Sequence, residues 1–192
     1  MKRPGRLGIS VAVGVFLAIG LLIPPAAQAA TPVRLSDAVH TLAAQRGQVG
    51  VQAICTANVV IQSAANGNYS STELGFSGGD HAMLRARSST IGPWELYTLC
   101  TDGTVSWFTS QANNRIVAAE LGYSGGDYAM LRARSTSVGI WERFIIEDLG
   151  GAVAIKSSAN NRYVAAELGY SGSSYGELRA RSASIGPWEI FA

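Results

Sequence analysis

The residues able to carry chemistry recur at one fixed interval. Glu73, Glu120 and Glu167 are 47 residues apart, as are Trp94, Trp141 and Trp188 and the arginine pairs Arg85/Arg87, Arg132/Arg134 and Arg179/Arg181. A glycine-rich stretch recurs with them: Phe76, Ser77 and Asp80 in one copy, Tyr123, Ser124 and Asp127 in the next, then Tyr170 with Ser174 at the acidic position. An aromatic face beside a carboxylate and small polar groups suits a pyranose, which stacks its C–H groups and donates its hydroxyls to the acid. Phe76, Asp80, Tyr123, Asp127 and Tyr170, with Arg132 and Arg134, are therefore the candidate ligand-binding residues. A glycine turn closed by an Asx hydrogen bond is the competing reading of Asp80 and Asp127.

Catalysis finds less support. The two histidines, His40 and His81, are far apart and are not repeated, so no shared base stands beside a nucleophile. One glutamate per copy places Glu73, Glu120 and Glu167 around a symmetry axis rather than as a facing acid–base pair. Each is expected to bond backbone or an arginine of its own copy. No C-x-x-C and no His/Cys cluster is present, so no metal and no cofactor is expected. Trp94, Trp141 and Trp188 precede an apolar segment in each copy and read as core anchors at the mouth of a strand; a sugar platform is the alternative. Trp107 belongs to one copy only and is the better surface aromatic. Alternation places all six repeated guanidiniums on outward faces.

Composition narrows the partners. Lys2, Arg3 and Arg6 account for three of the 15 basic residues, leaving 12 against 13 acidic ones in the remaining chain. That balance argues against nucleic acid. The three cations precede the apolar run Val11–Ile23, then Pro24-Pro25 and Ala27-Gln28-Ala29, which is the pattern of a secretory signal peptide over residues 1–29. The run is short for a membrane span, so none is expected after cleavage. In an oxidising compartment Cys55 and Cys100, the only cysteines, are expected to form one bridge. It would close a loop of about 45 residues and contribute about 4 kcal/mol.

These residues are positioned by a repeat. From Ala65, Ala112 and Ala159 three segments align without a gap for over 30 residues. Within the second copy, Trp107–Ser110 reads as a strand, Asn113-Asn114 as a turn and Arg115–Leu121 as a second strand. Gly122–Asp127 is a loop, Ala129–Ser135 a third strand with Leu131, Ala133 and Ser135 on one face, and Trp141–Glu147 a fourth. Four strands three times over make twelve. Three copies closing on one another bury their apolar faces without caps and leave no exposed sheet edge. That arithmetic is an all-β β-trefoil: a six-stranded barrel with three capping hairpins. The expected organisation is an N-terminal segment 30–48 and a trefoil 49–192, with repeats at about 57–103, 104–150 and 151–192. Ser36 can cap a short helix over Asp37–Gln45, with disorder as the alternative. Val49–Thr56 reads as a strand.

Asn160, Tyr163, Val164, Ala166 and Glu167, then Leu178, Ala180, Arg181 and Ser182, then Ile185, Gly186, Pro187, Trp188, Glu189 and Phe191 together resemble the fascin-like (actin cross-linking) β-trefoil family. The resemblance covers about Val60 to Ala192. It departs where the family often has Asn-Arg after the third-strand alanine and this chain has Arg-Ser. It implies the trefoil fold; actin bundling belongs to multi-trefoil intracellular members. The expectation is thus a secreted, monomeric, non-catalytic module that binds a glycan or polysaccharide. A protein partner of the fascin type, or inhibition of a secreted enzyme, is the alternative.

Overall fold

The computed structural model describes residues 31–46 and 52–192; the signal peptide expected over 1–29 lies outside the described residues. Strand β1 (Val33–Arg34) and helix α1 (Leu35–Arg46) precede the repeats. The first repeat holds β2 (Ile54–Val60), β3 (Tyr69–Glu73), β4 (Met83–Ser88) and β5 (Tyr97–Thr101). The second holds β6 (Ser106–Ser110), β7 (Arg115–Glu120), β8 (Met130–Ser135) and β9 (Phe144–Asp148). The third holds β10 (Val153–Ser157), β11 (Tyr163–Glu167), β12 (Glu177–Ser182) and β13 (Ile190–Phe191).

Six strands form a closed barrel. β2 pairs with β5, β5 with β6, β6 with β9, β9 with β10 and β10 with β13, all antiparallel. The ring closes where Gln62 and Ala192 exchange backbone hydrogen bonds of 3.1 and 2.9 Å and Ser63 bridges Phe191. Closure pairs every strand of the ring on both sides; only the two-residue β1, beside β2, is paired on one side alone. The other six strands are three hairpins, β3–β4, β7–β8 and β11–β12, each with a bulge at the same place. The fold is a β-trefoil, as the repeat arithmetic expects.

The hairpins meet at the pseudo-threefold axis in a cyclic contact. Ala86 N–H donates to Gly176 O (2.7 Å), Ala133 N–H to Ala82 O (2.8 Å) and Ala180 N–H to Ala129 O (2.9 Å). Ala82 and Ala129 take left-handed backbone at φ 60°; Gly176 takes the same place at φ 75°. A Cβ on Gly176 would lie 2.8 Å from Ala86 O, which is why the third repeat has glycine there.

Core residues come from every repeat: Leu84, Leu131 and Leu178 from the hairpins, with Leu99, Phe108, Phe144, Val153 and Phe191 from the barrel. Helix α1 is longer at both ends than Asp37–Gln45. Ser36 lies buried inside it rather than at its cap, and Leu35, Ala38 and Leu42 pack onto the core. Two polar contacts fasten it: His40 Nε2 lies 3.0 Å from Asp148 Oδ2, and Arg46 Nη2 donates to Asp102 O at 2.5 Å. The expected strand Val49–Thr56 is displaced to β2; residues 49–51 lie outside the described residues. The fourth strand of the second repeat begins at Phe144, not Trp141, because Trp141-Glu142 forms a turn. Cys55 and Cys100 face each other across β2 and β5 and are disulfide-bonded.

Candidate functional site

The first arginine of each pair is buried, which corrects the expected outward placement of all six. Arg85, Arg132 and Arg179 are 3%, 0% and 3% exposed. A buried guanidinium must be paired and hydrogen-bonded, and each of these is, although the Arg179 Nε has no hydrogen-bond partner among the described residues. Arg85 Nε donates to Glu73 at 3.2 Å and its Nη1 reaches Ser173 O, in the third repeat's loop, at 2.5 Å. Arg132 donates to Glu120 (3.2 Å), to Asp127 (3.3 Å) and, across to the first repeat's loop, to Gly79 O (2.5 Å). Arg179 pairs with Glu177 and lies 3.6 Å from Glu167. Each inner arginine thus anchors a glycine-rich loop near the axis or replaces that contact by an ion pair.

The second arginine of each pair stays partly exposed. Arg87, Arg134 and Arg181 grip Glu73, Glu120 and Glu167 through Nε and Nη2, a two-point fork. The three glutamates accordingly bond the arginines of their own repeats. The Glu73 and Glu120 hydrogen bonds raise the pKa of Arg87 and Arg134 respectively. Burial pushes the Glu167 carboxyl up despite its two arginines.

The loop aromatics cover these cations. Phe76 lies over Arg85 (5.2 Å), Tyr123 over Arg132 and Arg134 (4.8 and 5.6 Å) and Tyr170 over Arg179 (5.6 Å). Tyr123 and Tyr170 also accept hydrogen bonds from Arg134 (2.7 Å) and Arg181 (3.0 Å), which Phe76 cannot do. The loops close with a one-turn 3₁₀ helix at Gly78–Asp80, Gly125–Asp127 and Gly172–Ser174.

The tryptophans are not core anchors. Trp94, Trp141 and Trp188 are 57%, 39% and 43% exposed. Their apolar character pointed to the core, but each lies in the turn that leads into a barrel strand, where the following residues, not the indole, enter the barrel. Trp107, the surface candidate, is half-buried on β6 opposite Cys100.

Exposed tryptophan, loop aromatic and outer arginine together build a groove in the third repeat, and tryptophan and outer arginine line a smaller one in the first. In the third it measures about 490 Å³ and is lined by Tyr170, Arg181, Trp188 and Glu189 over Gly169. In the first it measures about 170 Å³, with Arg87, Trp94 and Glu95 on its walls. In the second, Trp141 lies against Gly122, where a Cβ would come within 3.3 Å of the indole. The sequence reading gives Glu95, Glu142 and Glu189 no role. Each is buried and accepts the N–H of Gly92, Gly139 or Gly186 three residues earlier, at 2.7–2.8 Å. The signal was the recurring G-x-W-E, a capping-box arrangement.

Of the expected ligand residues, Tyr170 lines the third groove, while Tyr123 and Arg134 are hydrogen-bonded to each other in the second repeat. Arg132 is enclosed and Asp127 turns to it, on the axial side of the loop. Among the described residues Asp80 has no hydrogen-bond partner. Gly75–Gly79 and Gly122–Gly126 spell G-x-S-x-G. A nucleophile elbow needs a strand running directly into the serine and a full helix after it. Here β7 ends at Glu120, four residues before Ser124, and a single 3₁₀ turn follows. His81 Nδ1 lies 3.1 Å from Phe76 O.

No protein-family profile and no curated protein matches the chain. Solved structures do. A designed threefold-symmetric protein, ThreeFoil, superposes with TM-score 0.57 at 18% identity, over 69% of this chain and 94% of its own. A Culex salivary protein of the cysteine- and tryptophan-rich family gives 0.55 at 12%, over 75% and 96%. An endo-β-galactosidase of Clostridium perfringens that releases GlcNAcα1-4Gal gives 0.54 at 8%, over 70% of this chain; the chain spans about a third of that enzyme (32%). At these identities the likeness is one of fold, and it defines the class: a β-trefoil module. Among the described residues no helix is long and apolar enough to cross a membrane.

Proposed function

We propose that this β-trefoil is an exported, non-catalytic glycan-binding module of the fascin-like kind, with one shallow groove per repeat. The carrying observation is the third groove, where Trp188 and Tyr170 stay exposed beside Arg181. Leaving three large indoles in water serves no folding purpose, and aromatic faces flanked by a few polar groups are what a sugar ring requires. The leader-like first 29 residues and the disulfide accord with an extracellular setting. Several such sites on one polymer reinforce each other, so weak single sites suffice.

A protein partner is the second reading. It draws on the apolar surface that Ile140 adds next to Trp141. Retention of the protein on insoluble polysaccharides, with quenching of tryptophan fluorescence by the bound sugar, tests the first reading. Co-sedimentation with filaments and no retention on any polysaccharide would favour the second.

A further inference from the structure

Resting on the glycan-binding reading, we infer that each groove takes a neutral pyranose through a fixed donor–acceptor pair and rejects sugars carrying a carboxylate. The donor is the outer arginine. Arg181 spends Nε and Nη2 on Glu167, and Nη2 again on Tyr170. Among the described residues its Nη1 has no partner, and the side chain is 38% exposed in the groove wall. Arg87 and Arg134 bind Glu73 and Glu120 in the same way and leave the same nitrogen open.

The acceptor is the glutamate after the tryptophan. Glu189 receives the Gly186 N–H on Oε2, and its Oε1 has no partner among the described residues. Glu95 and Glu142 do the same. Arg181 and Glu189 line one groove, Arg87 and Glu95 another. A donor edge and an open carboxylate oxygen beside an indole match a ring whose hydroxyls both give and accept hydrogen bonds. Such a ring offers a C–H face to the tryptophan as well.

Charge decides the class of sugar. Around the third groove Arg179 and Arg181 stand against Glu167, Glu177 and Glu189. At the equivalent place in the second repeat, Arg132 and Arg134 stand against Glu120, Asp127 and Glu142. In the first, Arg85 and Arg87 are matched by Glu73 and Glu95. No groove has a spare positive charge for a uronate, and the open glutamate oxygen repels one. A cation fares no better, because the guanidinium edge lines the wall it would enter. Phe76 leaves Arg87 without the tyrosine brace, so the first groove binds most weakly.

The test is calorimetric titration of the protein with methyl hexosides, the corresponding methyl glucuronide, and tetramethylammonium. At least one neutral hexoside binds, and the glucuronide of the same ring binds at least tenfold more weakly. With Trp94→Ala and Trp141→Ala leaving the third groove alone, Glu189→Gln can keep the Gly186 bond through its carbonyl while turning an N–H₂ group toward the ligand. It lowers hexoside affinity several-fold and narrows the gap to the glucuronide; a thermal melt shows whether each variant is folded. Glucuronide binding equal to or tighter than that of the hexosides overturns the inference and leaves the glycan reading standing. Binding of tetramethylammonium alone, or of no sugar at all, overturns both.

Discussion

Tyr97 and Thr72 are a matched pair inside the first repeat. Thr72 Oγ1 lies 3.2 Å from the Tyr97 hydroxyl, which donates to Ser70 O at 3.2 Å. In the other repeats Phe144 and Phe191 take the place of Tyr97, and Ala119 and Ala166 that of Thr72. Tyr97 is fully buried, and burial pushes its phenol pKa up, so the hydroxyl stays protonated as a donor. Thr72→Ala alone removes a partner from two buried hydroxyls, those of Tyr97 and Ser110, and should cost about 1–2 kcal/mol. Tyr97→Phe combined with Thr72→Ala reproduces the pair of the other two repeats and should cost less than the sum of the single changes. Urea unfolding of the two single variants and the double variant measures this; strict additivity would disprove the coupling.

Arg132 holds Asp127 and the first repeat's loop together from inside. Asp127→Ala leaves part of a buried charge uncompensated. The acid is about half exposed, so solvent limits the loss to about 1 kcal/mol. Glycan affinity should stay unchanged, because Asp127 lies on the axial side of its loop. A drop in affinity with an unaltered melting temperature would return Asp127 to the ligand-binding role its sequence position proposes.

Phe76 is the one loop aromatic without a hydroxyl. Phe76→Tyr should give Arg87 the brace that Tyr170 gives Arg181 and strengthen the first groove a few-fold. Trp188→Ala should abolish binding at the third groove while shifting the melting temperature little, since the indole is exposed. Titration stoichiometry falling from three sites to two is the readout. A melting temperature lowered by many degrees would mark Trp188 as structural.

The His40–Asp148 contact that fastens α1 depends on pH. The Gly150 N–H and then His40 hold Asp148 below its ordinary 3.8; the Val105 and Thr104 N–H groups do the same for Asp102. A carboxyl whose folded pKa is depressed stabilises the protein above its unfolded value. That contribution is lost as pH falls from 3.8 through the lower folded value. Glu167, raised by burial, acts in the opposite sense, because protonation relieves it. The comparison must therefore be a difference between proteins. Melting temperatures from pH 7 to 2 should converge for the wild type and Asp148→Asn at the acid end and separate above pH 4. A constant gap across the range would remove Asp148 from the acid response.

The Cys55–Cys100 bridge joins β2 to β5 across a separation of 45 residues. In the chain-entropy account, the double serine variant should lose up to about 4 kcal/mol. It should keep its strand content by circular dichroism, because the barrel closes through Gln62 and Ala192 independently of the bridge.

Much of this architecture was legible in the chain. A gapless 47-residue period carrying two-residue alternation dictates three equivalent units of strands, and three such units bury their apolar faces only by closing on each other. The glycine-rich loops and the pairing of each glutamate with arginines of its own copy followed from local spacing. What only the tertiary structure decided is which member of an equivalent pair goes inside. Arg85 and Arg87 stand two apart on one strand face, so alternation cannot separate them. Arg85 is buried because β4, β8 and β12 meet at the axis beside it and a neighbouring repeat's loop closes over it, while Arg87 lies further along the strand, beyond that loop. The tryptophans show the reverse. Their hydrophobicity pointed inward, but burial is set by where the barrel strand begins. That strand starts two or three residues after the indole, which leaves all three exposed, with Trp94 and Trp188 on the walls of the grooves.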